Sequence, residues 1–253
     1  MLSKNTLKFI KSLQQKKFRK QEQSFFVEGA KNVTELLQSD FEISHLVFTE
    51  KYALENHHLI PSSGVALYEV SQKILESAGT FQSNDSALAV AKIKDNVEFE
   101  LKSTEWVIAL DDIRDPGNLG TIIRVADWYG ISKLLLSNES ADFYNPKVLH
   151  ASMGSFTRVQ FYYTDLSAYL SRKAKFIYGA FLNGKNLYDV EFEEGGVILM
   201  GNESKGISES VSQLVTQKIT IPRFGHAESL NVGIATSIIC DNVKRHAHLT
   251  GKK

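Results

Sequence analysis

Three polar side chains of this sequence, Arg124, Glu203 and Ser229, lie in glycine-containing segments that suit ligand binding and chemistry. These segments read DPGNLGTIIR, LMGNESKGIS and IPRFGHAESLNV. Glycine allows a ligand to approach the backbone closely, and a neighbouring polar side chain can then align the reacting group. None of the segments contains the GxxxxGK[ST] phosphate loop or the GxGxxG fingerprint, which argues against a conventional dinucleotide-binding domain.

Arg124 is the candidate for chemistry in the first segment. Asn118 follows turn residues and is predicted to cap a helix over residues 118–129. Arg124 lies in the second turn of that helix, off its apolar stripe and four residues after Gly120, so the two share a face. Because glycine leaves that face open, we expect the guanidinium to lie back across the first turn toward Asn118. The alternative is a solvated surface arginine beside a turn asparagine.

The elements that must position these segments alternate along the second half of the chain. From residue 105 onward, apolar runs predict strands at EWVIALDD, KLLLS, VQFYY, KFIYGAFL, GVILMGN and KITIP. Helices are predicted at 118–129, 146–153, 208–215 and 229–245, the last capped by Ser229. This alternation favours an α/β fold with a mostly parallel sheet, in which ligands bind outside the carboxyl ends of the strands. All three segments follow predicted strands.

The first half of the chain is predicted to form a separate, smaller α/β domain. Residues 1–94 mix helices, NTLKFIKSLQQKKFRKQ and KNVTELLQS, with strands, SHLVFTE and SALAVAKI. The polar segment KDNVEFELKST, residues 94–104, is the predicted linker, and residues 105–253 form the second domain.

Composition favours an ordinary globular protein. The chain has 253 residues, of which 43% are hydrophobic and 23% charged. No apolar run reaches membrane-spanning length, and the N-terminus lacks the features of a secretory signal. The single cysteine, Cys240, excludes a disulfide framework and a cysteine zinc cluster, so a cytoplasmic enzyme is expected.

Charge is unevenly distributed along a chain whose formal net charge is zero. Residues 1–24 carry seven lysines and arginines against one acidic residue, Glu22. Such a basic arm can bind phosphate locally, and the alternative is a solvated helix face. The candidate RNA-binding residues in this arm are Lys16, Lys17, Arg19 and Lys20.

Together the three segments resemble the motifs of the SpoU (TrmH) family of RNA ribose 2′-O-methyltransferases. Their order and spacing fit across nearly all of residues 105–245. The matching residues are Asn118, Gly120 and Arg124 in the first motif; Gly201, Asn202, Glu203 and Gly206 in the second; and Ile221, Pro222, Gly225, Ser229, Leu230, Asn231 and Val232 in the third.

This resemblance implies a SPOUT-type methyltransferase domain whose C-terminal segment is threaded into a deep trefoil knot. The N-terminal half resembles the substrate-binding domain of the family, an α/β unit similar to ribosomal RNA-binding proteins. Its matching segment is KKFRKQEQSFFVEGAKNV, whereas TFQSNDSALAV lacks the usual proline and glycine before the last strand. That departure bears on the details of substrate contact and not on the domain itself.

The resemblance also implies the chemistry. S-adenosylmethionine donates a methyl group to a ribose 2′-hydroxyl and leaves as S-adenosylhomocysteine, without a metal. The residues implied in donor binding are Gly201, Ile221, Leu230, Asn202, Ala180, Phe181 and Asn231. The residues implied in catalysis are Arg124, Asn118, Glu203, Ser229 and Asn231.

In this interpretation Arg124 binds the target phosphate and stabilises the developing alkoxide, and Asn118 orients Arg124 or the ribose. Glu203 holds Asn118 or the substrate, while Ser229 and Asn231 shape the site around the donor. Family resemblance further implies a homodimer, and ribosomal RNA as the substrate. The alternatives are transfer RNA, a base atom as acceptor, or an RNA-binding protein without catalysis.

Overall fold

A computed structural model describes residues 2–251 of the chain, in ten helices and ten strands. The helices are α1 (Lys4–Ser12), α2 (Lys16–Glu22), α3 (Ala30–Leu37), α4 (Glu50–Asn56), α5 (Gln72–Ala78), α6 (Pro116–Trp128), α7 (Pro146–Ser152), α8 (Leu166–Lys173), α9 (Glu209–Ser212) and α10 (Val232–Thr250). The strands are β1 (Ser24–Glu28), β2 (Ile43–Phe48), β3 (Ala66–Glu69), β4 (Ala87–Lys92), β5 (Trp106–Asp111), β6 (Lys133–Ser137), β7 (Gln160–Thr164), β8 (Ile177–Asn186), β9 (Gly196–Gly201) and β10 (Gln217–Thr220).

The chain divides into two compact units. The N-terminal unit contains the residues up to Asp95 and also the segment Asp142–Thr157, whereas the C-terminal unit contains Asn96–Ala141 and the residues from Arg158 onward. The segment Asp142–Thr157 follows β6 in the chain but packs with the N-terminal unit, which the sequence did not suggest. Within residues 2–251, no helix is both long and apolar enough to cross a bilayer.

The N-terminal unit is built on a four-stranded mixed sheet in the order β1-β4-β2-β3. Strand β4 runs antiparallel to both β1 and β2, while β2 and β3 are parallel. Ile10 of α1, Leu13 at the end of that helix and Leu75 of α5 pack on the sheet through Val47 and Leu88. The sequence analysis did not identify β1 or β3, and the short edge strand β3 is only half-buried.

Two helices occupy the segment that the sequence predicts as one N-terminal helix. Helix α1 ends at Ser12, and the side chain of Arg19 on α2 forms hydrogen bonds with backbone carbonyl groups of the segment between the two helices. Its Nη1 donates to the backbone oxygens of Leu13 and Gln14, each at 2.9 Å. Its Nη2 donates to Asp142 Oδ2 at 2.5 Å.

The prediction that Arg19 binds RNA is therefore wrong. Only 2% of the residue is exposed, and its guanidinium is bound to protein groups, so it cannot receive a phosphate from solution. Lys16, Lys17 and Lys20 remain exposed on α2.

Glu28 and Gly29, the Glu-Gly pair of the resemblance, have structural roles in the N-terminal unit. The buried Glu28 carboxylate accepts hydrogen bonds from the backbone N–H groups of Thr80 and Phe81, and from the Thr80 hydroxyl. Gly29 has a φ of +87°, a conformation that favours glycine. The pair thus joins the end of β1 to the segment after α5.

Asp142–Thr157 completes the aromatic core of the N-terminal unit. The ring of Tyr144 lies 4.5 Å from that of Phe25, and the ring of Phe156 lies 5.9 Å from that of Phe41. Burial raises the pKa of Tyr144, whose hydroxyl accepts a hydrogen bond from the Lys94 backbone at 3.0 Å.

The C-terminal unit contains a six-stranded parallel sheet in the order β10-β8-β9-β5-β6-β7. This arrangement confirms the predicted α/β class and the parallel sheet. The central strand β5 is buried along its whole length, as expected of a parallel strand that is covered on both faces. Residues of α8 and α9 pack against it, including Tyr169, Leu170 and Val211. The trefoil threading of the C-terminal segment stays a prediction.

Two predicted helix caps are wrong. Helix α6 begins at Pro116, and its N-cap is Asp115, whose side chain accepts the Asn118 N–H at 2.8 Å. Arg124 consequently lies in the third turn of α6. Helix α10 begins at Val232 and is capped by Asn231, not by Ser229.

Candidate active site

The three glycine-containing segments meet at one edge of the parallel sheet. Strands β5 and β9 are neighbours in register, with Asp111 paired to Gly201 at their carboxyl ends. The loops that follow these strands are therefore adjacent. Helix α10 brings the third segment to the same place by packing along α6, where a Cβ on Gly233 would lie only 2.9 Å from Thr121 Cγ2. The missing side chain of Gly233 permits this close approach.

A chain of hydrogen bonds through Asn118 connects the three segments. Asn118 Nδ2 donates to Glu203 Oε1 at 2.6 Å, and Asn118 Oδ1 accepts from Asn231 Nδ2 at 2.8 Å. Asn231 Oδ1 in turn accepts the N–H groups of Gly233 and Ile234 at the start of α10. One residue from each predicted motif thus takes part.

The direction of this chain follows from what each group can donate. Backbone N–H groups only donate, so Asn231 must turn its oxygen toward α10 and its amide nitrogen toward Asn118. Asn118 must then present its oxygen to Asn231 and its nitrogen to Glu203, whose ionised carboxylate only accepts. Each amide therefore has one orientation that satisfies all of its partners.

The loop after β9 is held in a tight turn behind Glu203. The backbones of Asn202 and Gly206 exchange two hydrogen bonds, of 3.0 and 2.8 Å. A Cβ on Gly201 would lie 2.3 Å from the Gly206 carbonyl carbon, so only glycine fits at the start of the turn. Asn202 was expected at the methyl donor, yet its side chain is occupied: Oδ1 accepts two backbone N–H groups, of Ser204 and Lys205, and Nδ2 donates to the Asp112 carbonyl. Any contact between Asn202 and the methyl donor would therefore be made by the backbone of Asn202.

Two aspartates that the sequence analysis did not single out secure this loop to β5. The buried Asp111 carboxylate accepts the Ser208 N–H at 2.7 Å. Asp112 has a φ of +59°, unusual for a residue with a side chain, and its N–H donates to Ser137 Oγ at 2.9 Å. The only sequence signal was their position at the end of an apolar strand.

Arg124 does not make the contact that the sequence predicts. Its side chain is exposed and forms no hydrogen bond or ion pair within the part of the chain that the structure describes. The polar atoms of Asn118 are bonded to Glu203 and Asn231 instead, so Asn118 does not orient Arg124 here. Four residues further along α6, Trp128 is 83% exposed on the same helix face.

The proposed donor-binding residues are carried by β8 (Ala180 and Phe181), by the end of β9 (Gly201) and by the segment between β10 and α10, which contains Ile221, Ser229 and Leu230. Ser229 is exposed, and no other described residue hydrogen-bonds to its side chain. Leu230 is 48% exposed although it is apolar. Ala180, Phe181 and Ile221 are half-buried. Residues 180–184 bulge out of the β8–β10 ladder, and Thr220 Oγ1 donates to the Leu182 carbonyl at 3.1 Å, so these segments adjoin.

The other residues of the predicted RNA-binding set are three lysines of α2. Lys16, Lys17 and Lys20 form no ion pair among residues 2–251. Among the same residues, no three or more His, Cys, Asp or Glu side chains form a group that could hold a metal ion.

Comparisons with known proteins identify the family of each half of the chain. The model of the SpoU rRNA Methylase family matches residues 105–241, and that of the MRM3-like substrate binding domain matches residues 4–89. The chain is 28% identical over 236 residues to a 23S rRNA guanosine 2′-O-methyltransferase of Bacillus subtilis, an alignment that covers 90% of this chain and 92% of the relative.

Two solved structures are similar over nearly their whole length. A TrmH-family protein of Porphyromonas gingivalis is 37% identical with a TM-score of 0.84, covering 97% of this chain and 99% of that one. An AdoMet-bound rRNA methyltransferase of Sinorhizobium meliloti is 28% identical with a TM-score of 0.87, covering 97% and 96%. By its family match and by these relatives, the chain belongs to the SpoU rRNA methylase family.

Proposed function

We propose that this protein transfers a methyl group from S-adenosylmethionine to a ribose 2′-hydroxyl of ribosomal RNA. The observation that carries the proposal is the hydrogen-bond chain Glu203–Asn118–Asn231, which unites the three motifs. Arg124, on the same helix as Asn118, is exposed and has no hydrogen-bond or ion-pair partner among residues 2–251. The relatives named above include a 23S rRNA 2′-O-methyltransferase and an AdoMet-bound rRNA methyltransferase, which supports both the acceptor and the donor.

The residues carried by β8, by the end of β9 and by the segment between β10 and α10 suit the methyl donor. The half-exposed side chain of Leu230, with Ile221 and Phe181, offers apolar contact to an adenine ring and a thioether chain. Gly201 has no side chain and Ala180 only a methyl group, so their backbone groups can bind the polar edge of the base. When bound, the donor supplies a methyl group attached to a positively charged sulfur. The neutral thioether that remains after the transfer is a good leaving group.

The chain itself must align the ribose hydroxyl and assist the loss of its proton. A guanidinium stays protonated in proteins, so Arg124 acts as a cation and not as a base. We assign it to the phosphate of the target nucleotide and to the developing alkoxide, with the proton passing to phosphate or water. Its exposure, and the absence of a partner among the described residues, leave its donors available for RNA.

The other proposed catalytic residues act around Arg124. Asn118 and Glu203 present a fixed polar surface for the ribose, because each holds the other in place. Asn231 orients Asn118 and caps α10, which places the start of that helix beside the site. Ser229, exposed two residues earlier, has a free hydroxyl that can contact donor or ribose.

The N-terminal unit is proposed to bind the RNA. Lys16, Lys17 and Lys20 are exposed and unpaired among the described residues, and cations of this kind bind phosphate. Replacing all three with Gln should weaken RNA binding and reduce the slope of log K against log salt by about 0.7 for each phosphate that is no longer neutralised. Donor affinity should not change. An unaltered salt slope would mean that RNA binds elsewhere.

We also propose that the protein is a homodimer in which α6 and α10 pack against the partner. Trp128 on α6 is 83% exposed and Ile234 on α10 is 53% exposed, so apolar surface lies open beside Arg124. A partner subunit on this face would complete each active site. Sedimentation should give a dimer for the parent and a monomer for Trp128→Glu with Ile234→Glu. A monomeric parent at assay concentrations would overturn the dimer.

The decisive experiment maps ribose methylation in ribosomal and transfer RNA from cells with and without the gene. One 23S ribosomal RNA position should lose its methyl group, and purified protein with S-adenosylmethionine should restore it without added metal. Calorimetry that detects binding of neither S-adenosylmethionine nor S-adenosylhomocysteine would overturn the proposal. If the methyl group is missing only from transfer RNA, the acceptor is transfer RNA and not ribosomal RNA. The proposal includes a cytoplasmic location, in keeping with the single free cysteine, Cys240.

A further inference from the structure

Arg114, in the loop between β5 and α6, holds its guanidinium in an unusual way for a surface residue. Its Nε donates to Asp112 Oδ1 at 2.6 Å, while 62% of the side chain is exposed. Within residues 2–251 its two Nη groups form no hydrogen bond. One edge of the guanidinium is thus anchored, and the two terminal nitrogens are left as free donors.

The anchor is itself fixed to the framework of the site. Asp112 has a φ of +59°, a left-handed conformation that residues with a side chain rarely adopt, and surrounding contacts maintain it. Those contacts are the Ser137 hydroxyl, which accepts the Asp112 N–H, and Asn202 Nδ2, which donates to the Asp112 carbonyl at 2.8 Å. Arg114 therefore rests on a carboxylate whose position is set by β6 and by the loop that carries Glu203.

Stability does not account for this arrangement. An exposed ion pair contributes little to stability, because water screens it and two side chains must be ordered. The pair does fix the orientation of the planar guanidinium, whose two terminal nitrogens form a fork that matches two oxygens of a phosphate. The same loop continues to Asp115 and Asn118, so the fork lies four residues before a member of the hydrogen-bond chain.

We propose that Arg114 binds a phosphate group of the RNA beside the ribose that is methylated. This inference rests on the proposed function, and it assigns a substrate contact that differs from Arg124. Arg124 would serve the reacting nucleotide, whereas Arg114 would determine where along the RNA backbone that nucleotide is placed. The local charge of Arg114 is offset by Asp112, so its contribution depends on the two directed hydrogen bonds more than on long-range attraction.

The test compares Arg114→Gln and Arg114→Lys with the parent in methylation of the mapped RNA. Without its bidentate, charge-assisted hydrogen bonds, Arg114→Gln should raise KM for RNA about tenfold or more, while kcat stays within about twofold. The slope of log K against log salt should fall by about 0.7 to 1. Lysine keeps the charge but lacks the fork, so Arg114→Lys should regain the salt slope and recover only part of the KM.

Arg172→Gln is the matched control. Arg172 is also an exposed arginine of the C-terminal unit, and its Nε is engaged, with the Ala168 carbonyl at 3.1 Å. It lies near the end of α8, which runs from the carboxyl edge of the sheet back toward the amino edge. KM for RNA should be unchanged in this variant. Thermal melts and donor affinity should match the parent for all three variants.

Several outcomes would overturn the assignment. An unchanged KM and salt slope for Arg114→Gln, in a parent that methylates RNA, would show that Arg114 is only a surface ion pair. An equal rise in KM for Arg172→Gln would show a nonspecific charge effect. A fall in donor affinity would place Arg114 at the donor site. A parent that transfers no methyl group to RNA would instead overturn the proposed function, which separates the two failures.

Discussion

Asn118 and Glu203, separated by 85 residues in the chain, are joined by a hydrogen bond of 2.6 Å from Nδ2 to Oε1. The bond links the first turn of α6 to the loop after β9. Since Asn118 also accepts from Asn231 at 2.8 Å, its side-chain amide is held on both sides. This relationship makes Asn118 the residue on which the arrangement of the candidate site depends.

Replacement of Asn118 should separate catalysis from stability. Asn118→Ala removes both side-chain bonds, so single-turnover methyl transfer should fall about a hundredfold, the scale for removal of one preorganised hydrogen-bond donor. The bonds lie near the surface, so the free energy of unfolding should change by less than about 1.5 kcal/mol. Glu203→Gln, whose amide oxygen can still accept from Asn118, should retain more activity than Glu203→Ala.

A double-mutant cycle checks that the two residues act together. If Glu203 acts by holding Asn118, the combined Asn118→Ala and Glu203→Ala protein should be little slower than either single variant. Fully additive losses in the measured rates would mean that each residue touches the substrate independently.

Arg124→Ala should leave the fold and donor affinity intact, because the side chain is exposed and unpaired among the described residues. Methyl transfer at saturating donor should nevertheless fall at least about a hundredfold. Arg124→Lys should rescue little, since a point charge does not reproduce the planar fork. Near-parental single-turnover rates for Arg124→Ala would make it an ordinary surface arginine.

Arg19 should matter for stability and not for RNA. Arg19→Met leaves Asp142 and two backbone carbonyls without their partner, which should lower the free energy of unfolding by about 3 kcal/mol. Urea denaturation measures this loss, with the exposed Lys20→Met on the same helix as the control. In the folded protein the salt slope of RNA binding should be unchanged by Arg19→Met. A reduced slope with unaltered stability would return Arg19 to the RNA-binding set.

Cys240 should report on unfolding of α10. Burial raises the pKa of its thiol to about 12, so at pH 8 almost none of it is the reactive thiolate. A thiol reagent such as DTNB should therefore label the native protein very slowly and the urea-unfolded protein at once. Rapid labelling of native protein would show that α10 opens readily from the sheet.

Much of the C-terminal unit could be predicted because its signals are local. Strands β5, β6 and β9 are continuous apolar runs, as parallel strands buried on both faces must be. The elements that escaped prediction carry weaker patterns. Strand β3 is four residues long and half-exposed, and α8 carries a short polar sequence with only three buried side chains.

Single residues were harder to interpret than elements. The sequence placed Arg19 among exposed cations because three lysines lie within three residues of it, and nothing local reveals which of these side chains turns inward. Its burial depends on Asp142, which is 123 residues away. The cap of α10 was assigned to Ser229 in place of Asn231, since both residue types favour that position.

The sequence by itself determined the membership of the site: the order, spacing and residue types of the three motifs identify Asn118, Glu203 and Asn231 as candidates. Only the tertiary structure decided how they are connected, because their hydrogen bonds span 85 and 113 residues. Local patterns encode which face of a helix or strand is buried, through periodicity in hydrophobicity. They do not encode which side chains meet when parallel strands align their carboxyl ends and α10 packs against α6. These contacts are set by strand register and by the close approach of α10 to α6 at Gly233. As a result, Asn118 bonds to Glu203 and Asn231, and Arg124 does not have the contact with Asn118 that the sequence predicts.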